Sequence, residues 1–216
     1  MPASFSYLYM AIIVPMVITG PLFMAIYKYK YLPGPAKLFT FYLLLSGSGD
    51  LIADIVAGRH MNNMPVLHIY TLLEFLLISV YYKKIFNSPA ASRIINIAMA
   101  LFTLFHIVNS VFVQSIYSYN TYSRSLSSII IVIYTLYYFK MTLDDAGALG
   151  LSQKIFLYIN AAFLLYFGGG LFLFISSNMI ISNHHLNTVI WDIHATLVLI
   201  MYTLFTIALV HVRKYR

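Results

Sequence analysis

Cysteine is absent from the 216-residue chain. That excludes disulfides, thiolate nucleophiles, Cys-ligated iron–sulfur clusters and Cys-based zinc sites. Charge is scarce: 9% of the residues are Asp, Glu, Lys or Arg, against about 25% in soluble domains. A water-facing surface cannot be built from so few charges. Acidic residues are rarest, six against thirteen Lys and Arg. In a soluble chain that excess would suggest nucleic acid. In this chain it reads as membrane topology and attraction to anionic headgroups, and no nucleic-acid partner is expected. No predicted span carries Lys at mid-depth, which disfavours a retinal Schiff base. Neither H-E-x-x-H nor H-x-x-x-H occurs, so a zinc site would need ligands from separate helices. Tryptophan occurs once, as Trp191.

Apolar sequence is abundant: 61% of the residues are hydrophobic and the mean hydropathy is +0.84. The chain therefore reads as an integral membrane protein of the all-α class. A span needs ~20 mostly apolar residues. Seven segments qualify: 7–27, 37–57, 65–82, 94–113, 124–141, 155–178 and 188–211. The first is longer than a signal-peptide core and has no preceding Lys or Arg, so it is expected to be a retained helix. The breaks carry turn chemistry: Leu32-Pro33-Gly34-Pro35, Asn62-Asn63-Met64-Pro65, Asn87-Ser88-Pro89, Asp144-Asp145-Ala146-Gly147 and Ser182-Asn183. The short loops predict one integral membrane domain over residues 1–216, a seven-transmembrane-helix bundle.

Basic residues predict its orientation. Lys28, Lys30, Lys37, Lys83, Lys84, Arg93, Lys140, Lys154, Arg213, Lys214 and Arg216 fall on one side, and only Arg59 and Arg124 on the other. Positive residues stay cytoplasmic. The N-terminus is thus expected outside, the C-terminus inside, and the protein in the cell membrane.

Asp50, Asp54, Glu74 and Asp192 fall inside spans. Ionisable residues there are costly, and their default reading is functional. Measured from the outer end of each span at ~1.5 Å per residue, Asp54 and Asp192 lie ~6 Å deep, His194 ~9 Å, His106 ~10 Å, Asp50 ~12 Å and Glu74 ~14 Å. His68 and Asn109 are shallower, and His60, His184 and His185 lie in outer loops. This asymmetry predicts a polar cavity open to the outer face, with its floor near the midplane.

Asp50 and Asp54 share one helix face, above Ser46 and Gly47. Two such carboxylates repel unless one is protonated or a cation intervenes. Tyr70 and Glu74 also share a face, and Glu74 is expected to pair with a histidine or to be protonated. Asp50, Asp54 and Glu74 are the candidate acid/base residues. His68, Tyr70, His106, Asn109, Trp191 and His194 are candidate substrate-binding residues. His68, His106 and His194 are candidate ligands should a divalent metal bind. Asp192 points away from Trp191 and His194, toward a neighbouring helix. The glycines Gly168-Gly169-Gly170 are expected to allow tight packing or a kink.

The segment L-L-L-S-G-S-G-D-L-I, residues 43–52, resembles the S-x-x-G-D-x-x-L helix of the lysoplasmalogenase (YhhN-type) membrane proteins. The segment G-G-L-F-L-F-I-S-S-N-M-I-I, residues 169–181, resembles their later G-A-x-x-F-x-x-S-D helix. The resemblance implies a multi-helix enzyme that hydrolyses the vinyl ether of lysoplasmalogens, with Asp50 at the family's first acid. The second acid position departs: Ser177 and Asn178 follow Ser176. That family is usually drawn with eight spans.

The resulting expectation is a lipid-directed hydrolase, with Asp50 as general acid or base. Its partners would be membrane lipids and a lysolipid or small-molecule ligand. A non-catalytic receptor or sensor binding a small ligand, and a structural subunit of a membrane complex, are the alternatives.

Overall fold

The structure, a computed structural model, describes residues 8–144, 151–180 and 184–212. The side chains of Ser177, Asn178, His184 and His185 lie outside the described set, as do Asp145, Ala146, Gly147, Ser182, Asn183, Arg213, Lys214 and Arg216. The described residues are mostly helical, without strands. Among the described residues six helices are long and apolar enough to cross a membrane: α2 (Gly34–Gly58), α3 (Met64–Phe86), α4 (Pro89–Val113), α5 (Thr121–Asp144), α6 (Gln153–Ser176) and α7 (Leu186–Val210). By length and composition the chain is a multi-pass helical membrane protein.

The first expected span differs from the other six. Its apolar helix, α1 (Val14–Tyr27), is shorter. A π-turn at Tyr9–Ile13 precedes it, and a break at Ile18 divides it into Val14–Val17 and Thr19–Tyr27. Pro21 explains the break, because it has no N–H to donate to the preceding turn. Thr19 Oγ1 instead bonds the Met16 carbonyl at 2.7 Å.

Prolines also set the starts of α2, α3 and α4. Pro35, Pro65 and Pro89 each stand in the first turn, where a missing N–H costs nothing. α3 ends on Asn87 in the left-handed conformation, whose N–H bonds the Lys83 carbonyl. Lys28 closes the last turn of α7: its ammonium donates to the carbonyls of Leu209, Val210 and Val212 at 2.8–3.1 Å. A cation at a helix C-terminus is favoured, and this one ties α1 to α7.

The helices close into a ring in the order α1, α2, α3, α5, α6, α7 and back to α1. α4 packs outside, mainly on α3. α6 is interrupted by a π-turn at Leu164–Gly168, just before the remaining two glycines of the triplet. A side chain at Gly169 would press on Leu197 of α7 at 3.0 Å. The triplet thus serves both of its expected roles, a backbone irregularity and a close helix approach.

Among the described residues one end of the bundle carries lysines 28, 30, 37, 83, 84, 140 and 154, and the other carries none. The core at the lysine-bearing end is aromatic. Phe39, Tyr81, Tyr82, Phe163 and Phe205 are at most 2% exposed. The rings of Phe39 and Phe205 meet edge to face at 4.6 Å, and those of Phe163 and Phe205 at 5.4 Å.

Candidate functional site

The lysine-free half is built differently. Glu74, on α3 and 1% exposed, forms a buried ion pair with Arg124 of α5. Tyr70, one turn earlier, donates its hydroxyl to Glu74 Oε1 at 2.8 Å and approaches Ser46 Oγ of α2 at 3.3 Å. Ser46 Oγ lies 2.8 Å from the Tyr202 hydroxyl of α7. On the other side, Arg124 Nη2 donates to the Tyr166 hydroxyl of α6 at 2.9 Å. Tyr166 in turn lies 3.3 Å from His194 Nε2 of α7. The polar groups form one circuit, leaving α7 at Tyr202 and returning to it at His194. The Arg124 guanidinium also lies over Phe174, 4.7 Å from the ring centroid.

This circuit surrounds a cavity of about 170 Å³. Asp50, Arg124 and His194 are the ionisable side chains on its wall besides tyrosines. The rings of Tyr70, Tyr119, Tyr166, Phe174, Trp191 and Tyr202 supply much of the remaining surface. Asp50 is exposed although it lines the cavity, so it stands at the mouth. Its carboxyl has no hydrogen-bond or ion-pair partner among the described residues.

The sequence S-G-S-G-D explains why the cavity exists. Ser46 is a circuit member. Gly49 leaves room for Tyr70: a Cβ there would sit 2.7 Å from Tyr70 Cδ2. Asp50 follows on the cavity side. Gly47 faces the other way, where a Cβ would meet Ile18 of α1 at 3.3 Å.

The candidate residues fall into three places. Asp50, Tyr70, Trp191 and His194 line the cavity, and Glu74 lies behind its wall. Trp191 donates to Asn187 at 2.8 Å and stacks on Tyr119 at 5.3 Å. Asp54 is exposed and outside the cavity lining. His68, His106 and Asn109 form a separate cluster between α3, α4 and the 114–120 connection. There His68 lies 3.2 Å from Ser110 Oγ and 3.1 Å from the Ser118 carbonyl. The His68 and His106 rings are 6.1 Å apart, and Asn109 donates to Ser123 at 3.3 Å. His194 belongs to the other site, so the three metal candidates do not converge. Among the described residues no group of three His, Asp or Glu is placed to hold a metal.

Glu74 pairs with an arginine, not with a histidine. Arg124 is the residue that sequence reading misplaced. Counted by position it flanks a span at the surface, yet it is buried. The reason is the 114–120 connection, which folds into the bundle. Asn120 donates to Thr71 Oγ1 at 2.7 Å and to the Leu67 carbonyl at 3.4 Å. α5 therefore begins below the surface, and its first arginine reaches Glu74. Burial of Tyr119 in the same connection raises its hydroxyl pKa above the ordinary value. One signal was available: Glu74 needs a counter-charge, and Arg124 is the only basic residue near a span on its side besides Arg59.

Comparisons with family models, curated proteins and solved structures return no match.

Proposed function

We propose that the protein is a ligand-binding membrane protein whose lysine-free half takes up a small molecule in the cavity beside Asp50. The observation that carries this reading is the contrast within the cavity wall. Glu74, Arg124, Tyr70, Ser46, Tyr202 and Tyr166 satisfy one another, while the Asp50 carboxyl has no partner among the described residues. A fully satisfied polar circuit is a rigid frame. An uncommitted group at the mouth of such a frame is the feature a ligand would recognise.

The size of the cavity supports a small ligand. It is close to the ~150 Å³ of an engineered cavity that accepts benzene. A whole lysolipid would exceed it, though its headgroup would not. Hydrolysis of a lysolipid has less support, because among the described residues no second carboxylate lines the cavity beside Asp50, and His194, the other acid/base group on the wall, is 3.3 Å from the Tyr166 hydroxyl. Glu74 is engaged by Arg124 and Tyr70, and Asp54 is outside the lining. The proposed topology has α1 as a seventh span and the lysine-bearing end in the cytoplasm. Burial of Arg124 supports that orientation, since it leaves Arg59 as the exposed basic residue at the lysine-free end.

The test is a thermal-shift and mass-spectrometry screen of the purified protein against small metabolites, lysolipids and divalent metals. Wild type is compared with Asp50→Asn. A ligand that stabilises wild type without chemical change, and fails to stabilise the variant, is the expected result. A lysolipid consumed by wild type and spared by the variant would establish the hydrolase instead. No stabilisation by any compound would remove the binding reading.

A further inference from the structure

The charge balance of the cavity specifies what kind of molecule fits it. Three charged side chains lie on or directly behind the wall: Asp50 and Arg124 on it, and Glu74 behind Arg124. Asp54, one turn along the same helix face from Asp50, is exposed outside the lining and adds negative charge nearby. Glu74 and Arg124 cancel each other in their ion pair. The guanidinium is engaged further by Tyr166 and by the face of Phe174. Arg124 therefore has little left to offer an anion. Asp50 remains, an ionisable acid without a partner among the described residues, so the ionised lining has a surplus of one negative charge.

The rest of the lining has the matching character. It is dominated by aromatic rings, whose faces are electron-rich and attract cations. The wall already holds one cation this way, since Arg124 lies over Phe174, Phe167 and Tyr166 at 4.7, 5.3 and 5.7 Å. Several tyrosine hydroxyls on the wall are committed to the circuit: Tyr70 to Glu74, Tyr202 to Ser46 and Tyr166 to Arg124. They are poor partners for a neutral polar ligand. A carboxylate beside a box of aromatic rings is the chemistry that recognises an ammonium group.

We infer that the cavity binds a small organic cation, an amine or quaternary ammonium, with Asp50 as its counter-ion. This rests on the binding reading above and adds the ligand class to it. The same ammonium chemistry has two sources, a free solute or the headgroup of a choline lipid.

The experiment uses the full chain purified in an uncharged detergent, with binding followed by calorimetry. The probes are choline, set against its uncharged carbon isostere 3,3-dimethylbutanol, tetramethylammonium, set against the same alcohol as a soluble neutral reference, and butylammonium, set against butanol. Lysophosphatidylcholine and lysophosphatidylglycerol are added as a second pair. At least one cation should bind more tightly than its isostere, on the order of tenfold or more. Asp50→Asn should erase that difference. Asp50→Glu, which keeps the charge, should retain part of it and guards against a variant that merely misfolds. Binding by free choline assigns a solute. Binding by lysophosphatidylcholine alone, over its glycerol counterpart, assigns the lipid headgroup.

Equal binding of a cation and its isostere, or a preference that survives in Asp50→Asn, overturns the cation assignment while leaving a binding cavity. Absence of binding by every probe overturns the cation assignment. Absence of a thermal shift across the wider metabolite screen as well overturns the binding reading beneath it.

Discussion

The two halves of this bundle use the same residue types to opposite ends. At the lysine-bearing end, tyrosine and phenylalanine fill the space between helices. Tyr82 is fully buried there, donating to Asn160 at 2.6 Å and lying 3.0 Å from Thr135. Asn160 is satisfied in turn by the Phe156 carbonyl at 2.7 Å. Among the described residues no charged side chain is buried in this core. At the lysine-free end, tyrosines stand around a space instead of filling it. Small residues on α2, Ser46 and Gly49, hold the neighbouring rings in place without filling the centre. An ion pair then fixes the rings through their hydroxyls. Aromatic content alone does not distinguish a core from a cavity. The distinction comes from the small residues beside the rings and from the charge that the rings surround.

The largest effect is expected when one charge is removed from the frame without changing its shape. Glu74→Gln leaves Arg124 buried without its counter-ion, which should cost about 3–5 kcal/mol. Thermal denaturation in detergent would read it. Pairing it with Arg124→Gln should restore much of the loss, because the unpaired charge is then gone. If the single variant is as stable as wild type, the ion pair is not the frame.

Gly49→Ala probes the small-residue side of the argument. A methyl group there would displace the Tyr70 ring and with it the bonds to Glu74 and Ser46. Overpacking of this kind costs about 1–3 kcal/mol. Ligand stabilisation should fall together with the melting temperature. In the filled half a change of shape at similar volume should matter less. Phe163→Leu is expected to cost about 1–2 kcal/mol and to leave ligand binding intact.

The smallest effect on stability is expected at Asp50. Its carboxyl has no native partner to lose, so Asp50→Asn should stay within about 0.5 kcal/mol of wild type. The same change should abolish the ligand-induced shift. A large loss of stability without ligand would make Asp50 part of the frame.

Much of this architecture was legible in the sequence. The expected second span, 37–57, corresponds to Gly34–Gly58, and the fourth, 94–113, to the helix ending at Val113. Proline and asparagine marked the turns because their backbone chemistry is local. The cavity was legible as an asymmetry, because charged residues in spans cannot be placed at random. Its members were only partly legible. Tyr70, Glu74 and His194 carried the signal of polar residues at depth. Arg124 was hidden because depth was counted along the sequence, and the 114–120 connection dips into the bundle. Tyr166 and Tyr202 looked like any other ring in a chain with nineteen tyrosines. His106 shares a depth with the cavity residues, but it sits on α4 facing His68, which is turned to α4 and the 114–120 connection. Depth gives one coordinate of a site, and helix order supplies the others.

The absence of native cysteine permits the most direct test of the difference between the halves. Val198, on the cavity wall, and Thr135, buried in the filled half, are each replaced by cysteine and exposed in vesicles to a small, membrane-impermeant cationic thiol reagent. Val198→Cys should react, from the outer side, and a small organic cation should slow it. Thr135→Cys should not react from either side. Equal reactivity at the two positions, or an inert Val198→Cys in a folded protein, would contradict a bundle with one open half and one filled half.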